Sequence, residues 1–438
     1  MNVLVYSHTF SPSVGGVETY IMLLAHGLVA SGRVSESAKM RRRQGGRETR
    51  PRAVHVNGMV AVTVVTQTPA SGFDDATLPF RVVRQPSLVA LWRLLGEADV
   101  VHLAGPVLLP LSLGLLRRRP VVIEHHGFQA ACPNGQLLYE PTRTPCPGHF
   151  MACRHFQCLR CNAMDGRLRS LRMYLLTFPR RWLCHRASAN VMLTKSLATT
   201  LKLPNTKVIY LAVPDNGGGL ASSPPSTPMT FAFLGRLVST KGVHILLQAA
   251  YRLKSEGRRL RLKILGNGPE RAALEAQTRV LGLADEVAFS GYVPQVMVEE
   301  HLANTAAVIM PSLAGESFGL VAAEQMMRGR LLIAADVGGL GEVVGDAGLK
   351  FSAGDVEGLV GCLRQVLETP NLVSELRHKA RERALTLFRE DRMVAEHLAL
   401  YEQLVNRNGP RNSERKLLQR SRNWRVWSAR PGMRDDRL

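Results

Sequence analysis

Two carboxylates, Glu316 and Glu324, flank a mostly apolar run with seven residues between them, in Pro311-Ser312-Leu313-Ala314-Gly315-Glu316-Ser317-Phe318-Gly319-Leu320-Val321-Ala322-Ala323-Glu324. The run follows a strand pattern, Ala306-Ala307-Val308-Ile309-Met310. This reads as a strand, a loop carrying Glu316, and a helix opening near Ser317-Phe318-Gly319 with Glu324 about two turns on. Unpaired backbone N–H groups and the positive dipole end of such a helix suit a diphosphate. One carboxylate can then face a sugar and the other the ribose of a nucleotide. Taken alone, a strand–loop–helix unit with two solvated glutamates is the commoner explanation.

Elements that could position such a ligand recur upstream and downstream. Phe231-Ala232-Phe233-Leu234-Gly235-Arg236-Leu237-Val238-Ser239-Thr240-Lys241-Gly242 is an apolar strand ending in glycine and two cations five residues apart. Leu262-Lys263-Ile264-Leu265-Gly266-Asn267-Gly268-Pro269 repeats the strand-to-glycine turn. Val287-Ala288-Phe289-Ser290-Gly291-Tyr292-Val293-Pro294 follows, and Asp336-Val337-Gly338-Gly339-Leu340-Gly341-Glu342 closes the series. In this order the set resembles the C-terminal domain of glycosyltransferase family 4, retaining enzymes of the GT-B fold. The resemblance covers most of residues 205–405.

The resemblance implies a nucleoside diphosphate leaving from a sugar, with fixed cations and amides rather than a metal stabilising the developing charge. Arg236 and Lys241 fit that task, one as a bidentate fork and one as a point charge. A cation about 4 Å from a phosphate gains roughly 4 kcal/mol at intermediate dielectric. By the same resemblance Glu316 contacts the transferred hexose and Glu324 the ribose hydroxyls. Phe318, Gly319 and Leu320 offer backbone N–H groups to the phosphates, and Gly266 and Val293 border the donor. A solvated cation pair at a strand end is the plain alternative for Arg236 and Lys241.

The N-terminal half carries its own signals. Asn2-Val3-Leu4-Val5-Tyr6 is a short buried-strand pattern, and Gly15-Gly16 opens an apolar helix from Tyr20 to Val29. Glycines there permit close backbone approach to a phosphate or sugar, although tight strand–helix packing needs the same residues. Asp99-Val100-Val101-His102 and Val121-Val122-Ile123-Glu124-His125-His126-Gly127 are further strands with polar ends, where parallel sheets place their sites. The resemblance points to His126 in the sugar site, with His125 its plain neighbour; both could equally be structural histidines.

With 438 residues and 45% apolar content the chain can bury two α/β cores. The expected organisation is an acceptor-side Rossmann-like domain over 1–210 and a nucleotide-sugar domain over 211–387, facing across a cleft. A helix over 388–406 crosses back to the first domain, and a basic tail follows over 407–438. The stretch from Gly105 to Leu116 is too short and proline-broken to span a bilayer and reads as a helix before the strand Pro120 to Ile123. With no signal-like opening segment, the expected location is cytoplasmic, at most peripheral to the inner face of a membrane.

The net charge of +21 is concentrated. Residues 33–52 hold eight Lys/Arg and two acids, residues 407–438 ten and three, and residues 166–186 six arginines and no acid. The first reads as a disordered insertion, spanning 33–58, and the last as a disordered tail containing Trp424 and Trp427. Charge so confined suits an anionic membrane surface or an acidic acceptor, and no base-reading motif accompanies it to suggest nucleic acid. A merely solubilising surface is the alternative. Leu168, Leu171, Leu175, Phe178 and Trp182 fall at helical spacing among arginines, with Pro179 expected to kink or break the helix. Such a basic amphipathic helix suits contact with a membrane carrying a lipid-linked substrate, or ordinary packing on its own core.

Five cysteines, Cys132, Cys146, Cys153, Cys158 and Cys161, lie within thirty residues. In a reducing compartment this reads as metal binding before disulfides, with Cys158-Leu159-Arg160-Cys161 as one chelating pair for structural zinc. The other ligands would come from Cys132, Cys146 and Cys153. An iron–sulfur centre and plain thiols stay open. Some relatives by resemblance carry a similar cluster after the site histidine.

The reaction implied by the resemblance moves a hexose-type sugar from a nucleoside diphosphate, with retained configuration, to a saccharide or lipid-linked acceptor, as in polysaccharide biosynthesis. No cofactor is needed for it. A non-catalytic sugar- or membrane-binding scaffold and a nucleotide-sugar epimerase of the same fold are the alternatives. Leu331, Gly341 and Leu211-Ala212 depart from the family pattern at loops and the interdomain crossing, which concerns hinge geometry rather than charge.

Overall fold

The computed structural model describes residues 1–13, 15–42, 59–162, 166–215 and 228–408; most of the first basic segment and the tail beyond 408 lie outside the described residues. The first half begins with β1 (Asn2–Ser7), α1 (Gly16–Arg42), β2 (Ala61–Thr66), β3 (Arg81–Arg84) and α2 (Leu88–Glu97). It continues with β4 (Val100–Ala104), α3 (Leu108–Leu116), β5 (Val121–His125) and a hairpin of β6 (Leu138–Tyr139) and β7 (Thr144–Pro145). Then come α4 (His155–Asn162), α5 (Arg167–Cys184), β8 (Ala189–Met192), α6 (Lys195–Leu201) and β9 (Thr206–Val208).

Seven strands form one parallel sheet in the order β3-β2-β1-β4-β5-β8-β9. Val3, Val100, Val121 and their neighbours are buried, because helices cover both faces of the central strands and leave no solvated side. The strand order reverses between β1 and β4, which pair in parallel from Val3 opposite Val100. Loops leaving the C-terminal ends of these strands therefore diverge to opposite faces and leave a crevice between them.

The second half repeats the plan with β10 (Thr230–Leu234), α7 (Val243–Ser255), β11 (Arg261–Leu265), α8 (Arg271–Val280), β12 (Val287–Gly291) and α9 (Val298–His301). It runs on through β13 (Thr305–Met310), α10 (Leu320–Met327), β14 (Leu331–Ala335), α11 (Gly338–Val344) and β15 (Leu349–Phe351). Its parallel sheet has the order β12-β11-β10-β13-β14-β15, so its reversal lies between β10 and β13. Three helices finish the chain: α12 (Val356–Glu368), α13 (Pro370–Leu387) and α14 (Glu390–Asn408).

The two halves share one apolar core. Val394, Leu398 and Tyr401 of α14 are buried with Ile21, Leu24 and Leu28 of α1 in the same cluster as Phe318 and Phe388. The Phe318 and Phe388 rings lie 5.4 Å apart at the crossing, beside Tyr210. Each such fully buried ring contributes about 2–3 kcal/mol by area. A second cluster, containing Phe231, Ile264 and Leu363, fills the other face of the second sheet.

Two expectations are corrected. The segment from residue 33 to 42 is helical, as the end of α1, and not part of a disordered insertion. No glycine or proline separates Gly32 from Arg42, and Ala, Lys, Met and Arg are good helix formers. Helix α5 runs unbroken through Pro179. That proline is exposed, so the carbonyl deprived of its amide partner can be hydrated.

Candidate active site

Both strand-order reversals deliver candidate groups to one cleft. In the second half β10 ends at Gly235, with exposed Arg236 next and Lys241 at the end of a single 3-10 turn, Ser239–Lys241. Leu313 N–H donates to the Thr240 carbonyl at 2.8 Å, which holds that turn against the loop leaving β13. Gly242, at φ +64°, permits the contact: a Cβ there would lie 2.0 Å from the Pro311 carbonyl oxygen. Gly266 sits against Gly235 in the same way, at φ +141° with a Cβ position 1.8 Å from the Gly235 oxygen. Only glycine allows two strand ends to meet so closely.

The result is a direct ion pair. Lys241 Nζ lies 2.5 Å from Glu316 Oε1, and Ser312 Oγ donates to the same oxygen at 2.7 Å. Glu316 is buried, and its carbonyl accepts from Gly339 N–H at 2.7 Å, so backbone and side chain are both fixed. Burial alone would push its pKa up. The Lys241 charge and the hydrogen bonds from Lys241 and Ser312 outweigh this and hold the carboxyl below its ordinary range. An ionised, oriented acceptor of this kind can take hydrogen bonds from sugar hydroxyls.

Gly319, at φ +99°, caps α10, whose first turn begins at Leu320. The Phe318 side chain is buried in the core, leaving its backbone as the part available to the loop. Glu324 is half-buried on α10; burial raises its pKa, opposed by the Arg328 charge and a hydrogen bond with Gln295. That bond draws the loop after Val293 onto α10.

The first half meets this loop from the opposite side. Ser317 Oγ donates to the His126 carbonyl at 2.8 Å, and Thr194 Oγ1 donates to the Ser317 carbonyl at 3.0 Å. A Cβ at Gly16 would stand 3.1 Å from Leu320 Cδ2, so the Gly15-Gly16 turn also faces α10. The Nε2 atom of His126 is buried and has no hydrogen-bond partner among the described residues. Burial lowers the His126 pKa, with the Glu124 carboxylate acting against it, which favours the neutral ring. His125 is different. Its Nε2 donates to Asn190 Oδ1 at 3.0 Å, the Asn190 amide being committed as donor to two carbonyls.

Sequence reasoning missed a buried polar cluster beneath His126. Glu124 Oε2 accepts from Tyr20 Oη at 2.5 Å and lies 3.0 Å from His102 Nε2 and 3.7 Å from His397 Nε2. Tyr401 Oη and His102 Nδ1 share a hydrogen bond of 2.8 Å. His397 Nδ1 donates to the Met393 carbonyl at 2.9 Å. Among the described residues His102, Glu124 and His397 are the one group of potential metal ligands whose atoms all lie within 4.8 Å of one another. With the tyrosine hydroxyls bonded into it, the cluster serves as a polar cross-link between α14 and the first sheet. Its one sequence signal was an acid inside a fully apolar strand. Glu342 was also missed as an interdomain clamp: its carboxylate accepts from the N–H groups of Lys195 and Ser196 and from Tyr210 Oη, at 2.8–2.9 Å.

The cysteine segment folds as a turn, the β6–β7 hairpin and α4. Asn134 bridges two thiols: Cys132 Sγ donates to its Oδ1 at 2.9 Å, and its Nδ2 lies 3.6 Å from Cys161 Sγ. Glu140 N–H donates to Cys161 Sγ at 3.4 Å. The thiols of Cys132, Cys146, Cys158 and Cys161 act on one another electrostatically, and burial pushes Cys158 up to about 12. Cys153 is exposed, at φ +56°. No three of these sulfurs lie within 4.8 Å of one another.

Residues 221–385 match the family model described as glycosyl transferases group 1. The 2-deoxystreptamine glucosyltransferase of Streptomyces kanamyceticus is 29% identical over 223 residues, which are 46% of this chain and 57% of that protein. The chain spans about half the length of the curated relatives it matches. Among solved structures, sucrose-phosphate synthase from Thermosynechococcus elongatus superimposes with TM-score 0.64 at 18% identity, covering 92% of this chain and 98% of that one. Anabaena HepE in complex with UDP and glucose gives 0.63 at 18% identity, covering 92% and 100%. The fold is therefore GT-B, two Rossmann-like units with their strand ends turned toward each other.

Proposed function

We propose that this chain is a retaining glycosyltransferase that moves a hexose-type sugar from a nucleoside diphosphate to a saccharide or lipid-linked acceptor. The observation that carries the reading is the Lys241–Glu316 pair at the β10/β13 reversal, opposite the unpartnered Nε2 of His126. Arg236 and Lys241 neutralise the diphosphate, with backbone N–H groups of Phe318, Gly319 and Leu320 beside them. Glu316 and His126 orient the sugar, and Glu324 accepts from the ribose hydroxyls. The acceptor oxygen bonds to the anomeric carbon on the face the phosphate leaves. As the bond from that carbon to the phosphate oxygen breaks, the acceptor proton passes to the departing phosphate, so no enzyme nucleophile is consumed. Incubation with UDP, GDP and ADP sugars, with and without acceptor, tests this by nucleoside diphosphate release and product anomeric configuration. Conversion of donor sugar without acceptor would instead identify an epimerase, and no turnover a scaffold.

Glu324→Ala should raise the donor KM by about 10–100-fold with kcat little changed, since ribose contacts bind ground and transition states alike. A fall in kcat with KM unchanged would remove Glu324 from the ribose. Burial raises the pKa of Glu324, so donor affinity should weaken on acidification earlier than for an ordinary carboxylate.

We propose further that Cys132, Cys146, Cys158 and Cys161 hold a structural zinc, with Cys153 outside the set. The support is chemical. Burial raises the pKa of Cys132 and Cys161, and backbone N–H groups of Glu140 at Cys161, and of Leu137 and Gly135 at Cys132, act against it in favour of the thiolate that a metal requires. Protein purified without chelators should contain about one zinc per chain, lost in Cys158→Ser and kept in Cys153→Ser. Metal-free wild-type protein of full stability would refute the site.

A further inference from the structure

Helix α5 is built inside out. Its buried positions are the small residues Ser170, Thr177 and Cys184, at 3%, 0% and 0% exposure. Its large apolar residues point to solvent: Leu168 87%, Leu171 45%, Leu175 54%, Phe178 44% and Trp182 56%. Their spacing of three and four residues lines them along one face for about four turns. A helix stabilised only by its own domain would bury that stripe.

The surroundings say what covers it. Arg169, Arg172 and Arg186 are exposed beside the stripe, and the Arg186 guanidinium stacks on the Trp182 ring at 3.6 Å. Arg160 and Phe156, 74% exposed, extend the same combination onto α4. Residues 166–186 contain no acid. A cavity of ≈ 700 Å³, lined by Phe150, Met151, Phe178 and Trp182 among others, continues the apolar surface at the end of α5. Long apolar side chains bordered by arginines, with no acid between them, complement the acyl boundary and anionic headgroups of a bilayer.

We infer that α5 is a docking element that lies in the plane of an anionic membrane with Leu168, Leu171, Leu175, Phe178 and Trp182 inserted. The docked face communicates with the cleft. Arg180 and Arg181 donate to the carbonyls of Gln129 and Ala130, three and four residues beyond His126. Docking of α5 therefore holds the loop after the site histidine near the surface. The inference rests on the helix alone and does not require the transfer reaction.

The test is co-sedimentation of the full chain with vesicles of phosphatidylcholine mixed with phosphatidylglycerol, against phosphatidylcholine alone. Wild-type protein should bind the mixed vesicles and release with rising salt. Leu168→Ser–Leu171→Ser–Leu175→Ser leaves the charge untouched and should weaken binding at least tenfold, at an unchanged thermal unfolding midpoint. Arg169→Glu–Arg172→Glu should weaken it similarly. Wild-type affinity in the serine variant would assign membrane contact to other basic segments and overturn the inference. So would absence of binding to mixed vesicles, or self-association of the wild type that the serine variant loses, which would make the stripe a protein interface.

Discussion

Replacing Arg236 with alanine should cut sugar transfer by about 10²–10³-fold while leaving the protein folded. The arginine is exposed and stands at the C-terminal end of β10, so its removal exposes no core. What it takes away, on the proposed reading, is a cation at the point where the diphosphate gains charge. Lys241→Ala should lower transfer at least as far, but for two reasons that must be separated. It removes the proposed phosphate contact, and it strips the buried Glu316 carboxylate of its counter-ion. Breaking a buried pair by removing one partner costs about 3–5 kcal/mol, so this variant should also be less stable. The exposed arginine is therefore the cleaner probe. Full nucleoside diphosphate release by Arg236→Ala, with its fold verified by circular dichroism, would show that the leaving group is stabilised elsewhere.

The second large effect belongs to Glu124. Glu124→Ala should lower unfolding stability by about 3–5 kcal/mol, because Tyr20, His102 and His397 are left in an apolar core without their shared acceptor. Glu124→Gln keeps the shape and one acceptor and should cost less. The same cluster sets the response to acid. Burial opposes ionisation of Glu124, yet the adjoining His102 and His397 rings hold its carboxyl well below the ordinary range. Its contribution is thus complete above pH 4.5 and disappears as pH falls through the depressed folded value. His125 acts earlier. Burial lowers it from 6.5 to about 4, so the unfolded chain binds the extra proton first and stability should decline from about pH 6.5 downward. Denaturant titrations at pH 7.5, 6 and 5 read the His125 effect, and titrations carried below pH 4.5 read that of Glu124. A Glu124→Ala change below about 1 kcal/mol, or stability flat across that range, would contradict this account.

Local pattern carried the fold because local pattern is what sheets and their turns obey. Valine-rich runs ending in glycine or a polar residue became buried parallel strands, and the family resemblance supplied their arrangement as two doubly wound domains. Polar residues at strand ends, such as Arg236 and Glu316, stood out in the same pattern, and the family resemblance is what pointed to His126. Their contacts could not. Lys241 and Glu316 are 75 residues apart, Tyr20 and Glu124 are 104 apart, and Tyr20 and His397 are 377 apart. No periodicity reports such pairings. Charge misled where propensity decided, as in residues 33–42, which continue α1 despite their basic character. Periodicity correctly placed the stripe on α5, but whether a stripe faces inward depends on neighbours that only the folded chain supplies.

The cross-link between α1, β5 and α14 also dictates an order of events during synthesis. Tyr20 and Glu124 leave the ribosome first, while His397 emerges 377 residues after Tyr20. At about 5–20 residues per second the wait is roughly 20 to 75 s. Through that interval α1 lacks the apolar cover of Val394 and Leu398, and from the emergence of Glu124 onward the nascent first sheet holds an acidic strand interior without its histidine from α14. The domain that is translated first is thus the one completed last, by a helix that must travel back over the whole second half.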